Sequence, residues 1–211
     1  MRFNEQGRSM IEMLGVLAIV GVLSVGGIAG YSKAMNKFKT NKLIEQVNMI
    51  STNIRTLYSS QKSYEGLVNG AAIRTGVLPN EMYDNTASVD ADASDAEITN
   101  AFAGNTLIKS ADVKGTDDNG AFIIAMDKIP EAACVSIATT EWGGDAGGGL
   151  LAMTIVGDTA DSAGTAATNL EAASASGTNV YTIEGGDLPI AVVDAANACD
   201  GAENAIAWKY M

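Results

Sequence analysis

Few residues in this sequence have types and spacing suited to chemistry. Glu12 heads an uncharged run of 20 residues, Met13 to Ser32; Gly7 and Arg8 come just before it, and Cys134 and Cys199 lie far downstream. An acid beside an apolar helix is unfavourable, by up to about 3 kcal/mol at a bilayer centre and less near its interface, so Glu12 marks a function. The chemistry open to it is charge pairing in a dry, low-dielectric setting, where Coulomb attraction is strong. Catalysis is poorly served. The chain has no His, which removes the commonest general base and the commonest metal ligand, and with them any Ser-His or Cys-His pair. The two cysteines form no C-x-x-C pair, which argues against zinc and thioredoxin-type redox chemistry. Asp90-Ala91-Asp92-Ala93-Ser94-Asp95 lacks the loop Gly and closing Glu of a Ca²⁺-binding EF-hand and reads as a solvated acidic loop. The residues predict no catalytic group, no cofactor and no metal.

The elements that position Glu12 come next. Met13–Ser32 as a helix is roughly 30 Å long, enough to cross a bilayer core. Gly15, Gly21, Gly26, Gly27 and Gly30 lie inside it; each weakens a helix in water, but small residues let membrane helices approach closely. The cluster Gly26, Gly27 and Gly30 makes residues 24–30 a weak point of the helix. After Ser32 the pattern continues without a break. Ala34, Met35, Phe38, Leu43, Ile44, Val47, Ile50, Ile54, Leu57 and Tyr58 recur at helical offsets, with Lys33, Lys37, Lys42, Glu45 and Arg55 interleaved. One helix is predicted from about residue 8 to about residue 60, its first half apolar all round and its second half amphipathic. A secretory signal cleaved near Gly26-Gly27-Ile28-Ala29-Gly30 is the competing reading of the apolar run.

Charge divides along the chain. Residues 1–51 carry six Lys/Arg against three acids (+3), and residues 52–211 carry seven against 22 (−15). So acidic a body repels phosphate backbones, which argues against nucleic-acid binding, and suits an exported, soluble surface. In such a setting Cys134 and Cys199 read as one disulfide; two unpaired buried thiols are the other reading. Lys33, Lys37, Lys39 and Lys42 follow the apolar run. By the positive-inside rule alone they would place the acidic body in the cytoplasm.

Residues 61–121 read as loop-rich, with Asp118-Asn119-Gly120 as a tight turn. Strands are expected at 121–126, at 150–156 as a central strand, at 180–183 and at 206–211. Pro130 and Glu131 open a short helix toward Cys134, Trp142 to Gly149 is a Gly-rich loop, residues 157–179 read as a low-complexity surface loop, and Asp194 reads as the cap of one helical turn before Cys199. Trp208 reads as a core residue. The fold class is α+β: a long N-terminal helix on an antiparallel sheet.

A polar leader, Gly7, four residues, Glu12, and a long apolar helix together resemble the N-terminal signal of type IV prepilins. Gly70 to Met82 resembles the segment after the long helix in the type IVb branch. Ile129-Pro130 through Cys134, Trp142-Gly143-Gly144, a strand, Cys199 and Ile206-Ala207-Trp208 resemble that branch's C-terminal half. The resemblance implies a leader at 1–7, a helix at 8–60 with 13–32 spanning the membrane and later the filament core, and a head at 61–211 with a disulfide-bounded region 134–199. It implies cleavage between Gly7 and Arg8 by a prepilin peptidase, methylation of the new N-terminus, and pairing of Glu12 with that amine on a neighbouring subunit. The implied partners are further copies in a helical filament, the pilus assembly machinery and, before assembly, the inner membrane with the head outside. The implied function is that of a structural pilus subunit, not an enzyme. A pseudopilin or minor pilin of a secretion or pilus machine is the second reading, and a membrane-anchored binding domain the third.

Overall fold

The computed structural model describes residues 6–86, 88–113, 119–143, 148–157, 159, 161–171 and 179–211, with side chains from residue 10 onward. It divides into two units, Met1–Phe38 and Lys39–Met211, both of which contribute to helix α1, Gln6–Leu57.

In the first unit α1 is unpacked. Every residue from Met10 to Ala34 is exposed, including Val22 at 75% and Ile28 at 68%. An 18-residue window with a mean hydropathy of 2.2 is long and apolar enough to cross a membrane, and none of it is buried. The helix runs unbroken through Gly26, Gly27 and Gly30, and a Cβ at any of them would meet open space. Ser24 Oγ donates to the Val20 carbonyl at 2.7 Å, so this hydroxyl needs no water.

In the second unit Leu43, Val47, Ile50 and Ile54 are fully buried at offsets of four and three, one stripe of the helix. They belong to the main core, together with one face of a five-stranded antiparallel sheet. The strands are β1 Thr106–Ala111, β2 Ala121–Pro130, β3 Leu150–Val156, β4 Val180–Thr182 and β5 Glu203–Tyr210, in the order β1-β2-β5-β3-β4. Register sets the faces. Phe122 lies opposite Tyr210, Ile124 opposite Trp208 and Met126 opposite Ile206, so bulky residues of two adjacent strands share the main core. The alternate residues Ala121, Ile123, Ala125, Ala205 and Ala207 form the other face.

That second face is covered by α4, Ser162–Glu171, whose Ala163, Ala166, Ala167 and Leu170 are buried against it. This corrects the expectation of a surface loop across 157–179. The stretch is amphipathic, but its apolar stripe is mostly alanine, and alanine facing alanine lets a helix lie close to a sheet. Asp161 Oδ1 accepts from the Gly164 N–H at 3.0 Å, an N-terminal cap. Residues 172–178 lie outside the described residues.

Other corrections are smaller. The 61–121 stretch contains α2, Asn69–Thr75, a 3-10 turn at Asn80–Met82, and β1. Asn69 covers the outer edge of β1: its Oδ1 accepts from Ile108 N at 2.7 Å and its Nδ2 donates to the Thr106 carbonyl at 3.0 Å, which blocks edge pairing. The 150–156 strand lies inside the sheet as expected, paired with β5 on one side and β4 on the other. Pro130 caps α3, Glu131–Ala138, from outside. Ala191 caps α5, Val192–Ala198, and Asp194 sits in its first turn without a capping bond. The long helix ends at Leu57, short of residue 60. Asn119 is left-handed at φ 47°, as a turn requires, whereas Asp118 lies outside the described residues.

Candidate assembly surfaces

Three features of this chain bear on association: the exposed apolar half of α1 with Glu12, the way the other half of α1 is fixed to the sheet, and the disulfide-bounded region. Glu12 is exposed on α1, and among the described residues it has no ion-pair partner. Gly7 and Arg8 lie in the first turns of α1; their side chains are outside the described set. The described neighbours of Glu12 on the helix are apolar and exposed, Ile11 at 75% and Met13 at 64%.

From Lys39 onward α1 is bonded to the head. Gln46 is buried, and its Oε1 accepts from Ala101 N at 3.1 Å. Asn53 Nδ2 donates to the Val77 carbonyl at 2.9 Å, and Arg55 Nη1 donates to the Gly148 carbonyl at 2.8 Å. Lys42 pairs with Glu81 at 3.1 Å, and the Lys39 ammonium stands 5.8 Å from the Phe102 ring centroid. Polar contacts to separate loops flank the buried stripe, so this part of the helix is held in rotation as well as position. Burial pushes the Tyr210 hydroxyl well above its ordinary value, while the Arg55 guanidinium pulls the other way.

Cys134, in α3, is bonded to Cys199, just after α5, across a sequence separation of 65. The bond encloses β3, α4, β4 and α5, as the sequence leads one to expect. Two contacts tie α4 to the sheet. Lys209 is 3% exposed, and its Nζ donates to the Leu170 carbonyl at 2.8 Å; a cation at the last turn complements the helix dipole. Lys109 on β1 pairs with Glu171. Lys209 was not singled out from sequence; its alternation with Trp208 and Tyr210 was the available signal.

Asp127 and Asn100 form a second buried polar group. Asp127 Oδ1 accepts from Asn105 N at 2.6 Å, and Asn100 Nδ2 donates to the Asp127 carbonyl at 2.8 Å. Burial raises the Asp127 carboxyl above its ordinary value, while the Asn105 N–H and Lys128 pull it down. A Cβ at Gly104 would collide with the Asp127 carbonyl, so only glycine lets this turn close on the bulged end of β2. Among the described residues no group of His, Cys, Asp and Glu is placed to hold a metal ion.

Comparison with known proteins fits these surfaces. The family model described as PilS N terminal matches residues 37–208. The chain is 32% identical over 181 residues to the "Major structural subunit of bundle-forming pilus" of Escherichia coli O127:H6 (strain E2348/69 / EPEC), covering 81% of this chain and 87% of that one. It is 25% identical over 174 residues to the "Toxin coregulated pilin" of Vibrio cholerae, covering 79% and 74%. Among solved structures it resembles a type IV b pilin from Salmonella typhi, with a TM-score of 0.51 at 20% identity over 81% of this chain and 98% of that one. It likewise resembles TcpA, a type IV pilin from Vibrio cholerae El Tor biotype, with a TM-score of 0.52 at 15% identity over 82% and 99%.

Proposed function

This chain belongs to the type IVb pilin family, and on that premise we propose that it is the repeating structural subunit of an extracellular type IVb-like pilus, made as an inner-membrane precursor. The observation that carries the proposal is the contrast within α1. Its segment from Met10 to Ala34 is exposed and rich in large apolar side chains, while the head has a closed core. Such a surface needs lipid or other apolar helices around it. Lipid serves before assembly and further copies of the same segment serve afterwards.

In this reading residues 1–7 are the leader, residues 8–60 the helix, and residues 61–211 the head. A prepilin peptidase cuts between Gly7 and Arg8, and the new amine at Arg8 is methylated. Glu12 of one copy pairs with that amine on its neighbour. In a dry bundle, breaking one partner of such a pair is strongly unfavourable, so the pair selects the stagger at which copies add. Pilus assembly machinery supplies the copies from the membrane. The head stands outside the cytoplasm, where a disulfide persists.

Mass spectrometry of the N-terminus of the mature protein tests the proposal. A start at Arg8 carrying one methyl group is the expected result. An intact Met1 would instead identify a simple anchor, and a start near Tyr31 a secreted protein.

A further inference from the structure

Helix α4 interrupts a hairpin. It lies between β3 and β4, which pair directly with each other: Ala152 faces Thr182, Met153 faces Tyr181 and Thr154 faces Val180. The helix forms no part of that ladder, so it can leave the sheet without breaking a strand-to-strand bond.

The core under α4 is separate from the main one. Among the described residues the two clusters have no member in common. The main core holds side chains such as Ile50, Phe122 and Trp208, whereas α4 sets Ala163, Ala166, Ala167 and Leu170 against a floor that includes Ala121, Ala125 and Ala207. Burial stabilises roughly in proportion to apolar area, and a methyl group offers far less of it than the groups on the other face. Leu170 is the one large apolar residue of α4.

The polar bonds divide in the same sense. Asp161 Oδ1 accepts from the Gly164 N–H at 3.0 Å, the Thr159 N–H donates to Ser162 Oγ at 2.9 Å, and Thr168 Oγ1 donates to the Gly164 carbonyl at 2.9 Å. All lie within residues 159–168, so the helix keeps them when it moves. At its other end Lys209, 3% exposed, donates from Nζ to the Leu170 carbonyl at 2.8 Å. Burying an ammonium is unfavourable, so returning it to water offsets part of what opening loses. The neighbouring tie, Lys109 to Glu171, is a partly exposed ion pair and weak for that reason. A segment with little buried apolar area and partly exposed ties is one that opens at low free energy.

We propose that α4 is a flap: it lifts from the sheet as a unit while the main core, the strand pairing and the Cys134–Cys199 bond stay formed, uncovering an alanine-floored sheet face and the Lys209 ammonium. The hairpin tethers the flap at both ends, so it opens and recloses without unfolding of the head. The uncovered strip of small side chains with one cation is a surface that the closed head does not present.

The test compares the wild-type full-length chain in detergent with Ile50→Val, which trims the main core. Two readouts are mapped by mass spectrometry under native conditions: hydrogen exchange of the amides in residues 163–171 and 203–210, and acylation of Lys209 by a water-soluble amine-reactive ester. Wild-type α4 amides should exchange at least about tenfold faster than those of β5. Because the main core stays intact in the open state, Ile50→Val should speed β5 exchange about fivefold and leave α4 exchange and Lys209 acylation unchanged. If the substitution speeds all three by one factor, or if wild-type α4 exchanges no faster than β5, the helix opens only with the whole head and the inference is overturned. Rapid α4 exchange with Lys209 acylated no faster than β5 exchanges would mean that the helix frays in place, and overturns it equally. If Ile50→Val does not fold, the two wild-type rates decide.

Discussion

The two halves of α1 share one backbone and differ in everything around it. Residues 10–34 are exposed on every side, uncharged except for Glu12 and Lys33, and dotted with glycine. Residues 39–57 present a single buried stripe, Leu43, Val47, Ile50 and Ile54, with polar contacts to separate loops beside it. A hydrophobic stripe identifies a helix that has found its partner within its own chain. A helix apolar all round, with open space at every glycine, is a surface whose partner lies outside the chain. The same residue types thus serve folding in one half and association in the other.

That contrast can be broken deliberately. The head depends on covalent closure and the exposed half does not. Reducing Cys134–Cys199, or replacing both by alanine, should lower head stability by about 4 kcal/mol on the chain-entropy account of a loop this long. Thermal unfolding followed by near-ultraviolet circular dichroism checks this. Helical signal from a peptide covering residues 10–38 in detergent should be unchanged by reductant.

A matched pair of substitutions is sharper. Ile50→Ala removes a fully buried side chain and should destabilise the head by about 3 kcal/mol, within the range for large-to-small core changes. Ile19→Ala, at a position 62% exposed, should leave head unfolding in detergent unchanged and reduce the yield of filaments instead. Equal effects of the two on head unfolding would erase the distinction between the halves.

The smallest effect concerns pH. Asp127 has its carboxyl raised by burial. Its contribution to stability is therefore present below the ordinary aspartate value, near 4, and is lost as pH rises through the higher folded value. Asp127→Asn keeps an acceptor for Asn105 N and cannot ionise. The stability difference between this variant and the native protein, read from urea midpoints, should grow in favour of the variant as pH rises from about 4 to the raised folded value, then level off.

Much of the fold was legible because its signals were large side chains at regular spacing. Leu43 to Ile54 marked the helix face, Ala121 to Met126 and Leu150 to Val156 marked strands, and the two cysteines marked the closure. Two elements were not legible. The stripe of α4 is Ala163, Ala166, Ala167 and Leu170, and alanine contributes so little apolar area that its periodicity resembles low complexity. In β1, Thr106-Leu107-Ile108-Lys109-Ser110-Ala111 mixes polar and apolar residues because its edge is covered by Asn69 and its rear by α4. The association surface was legible in part. Glu12 stood out because an acid in an apolar run demands an explanation.

The most direct test of the central claim is electron microscopy of cells expressing Glu12→Ala, alongside membrane fractionation. The account predicts protein in the inner membrane at native levels and no pili. Pili of normal number and length built from Glu12→Ala protein would contradict it.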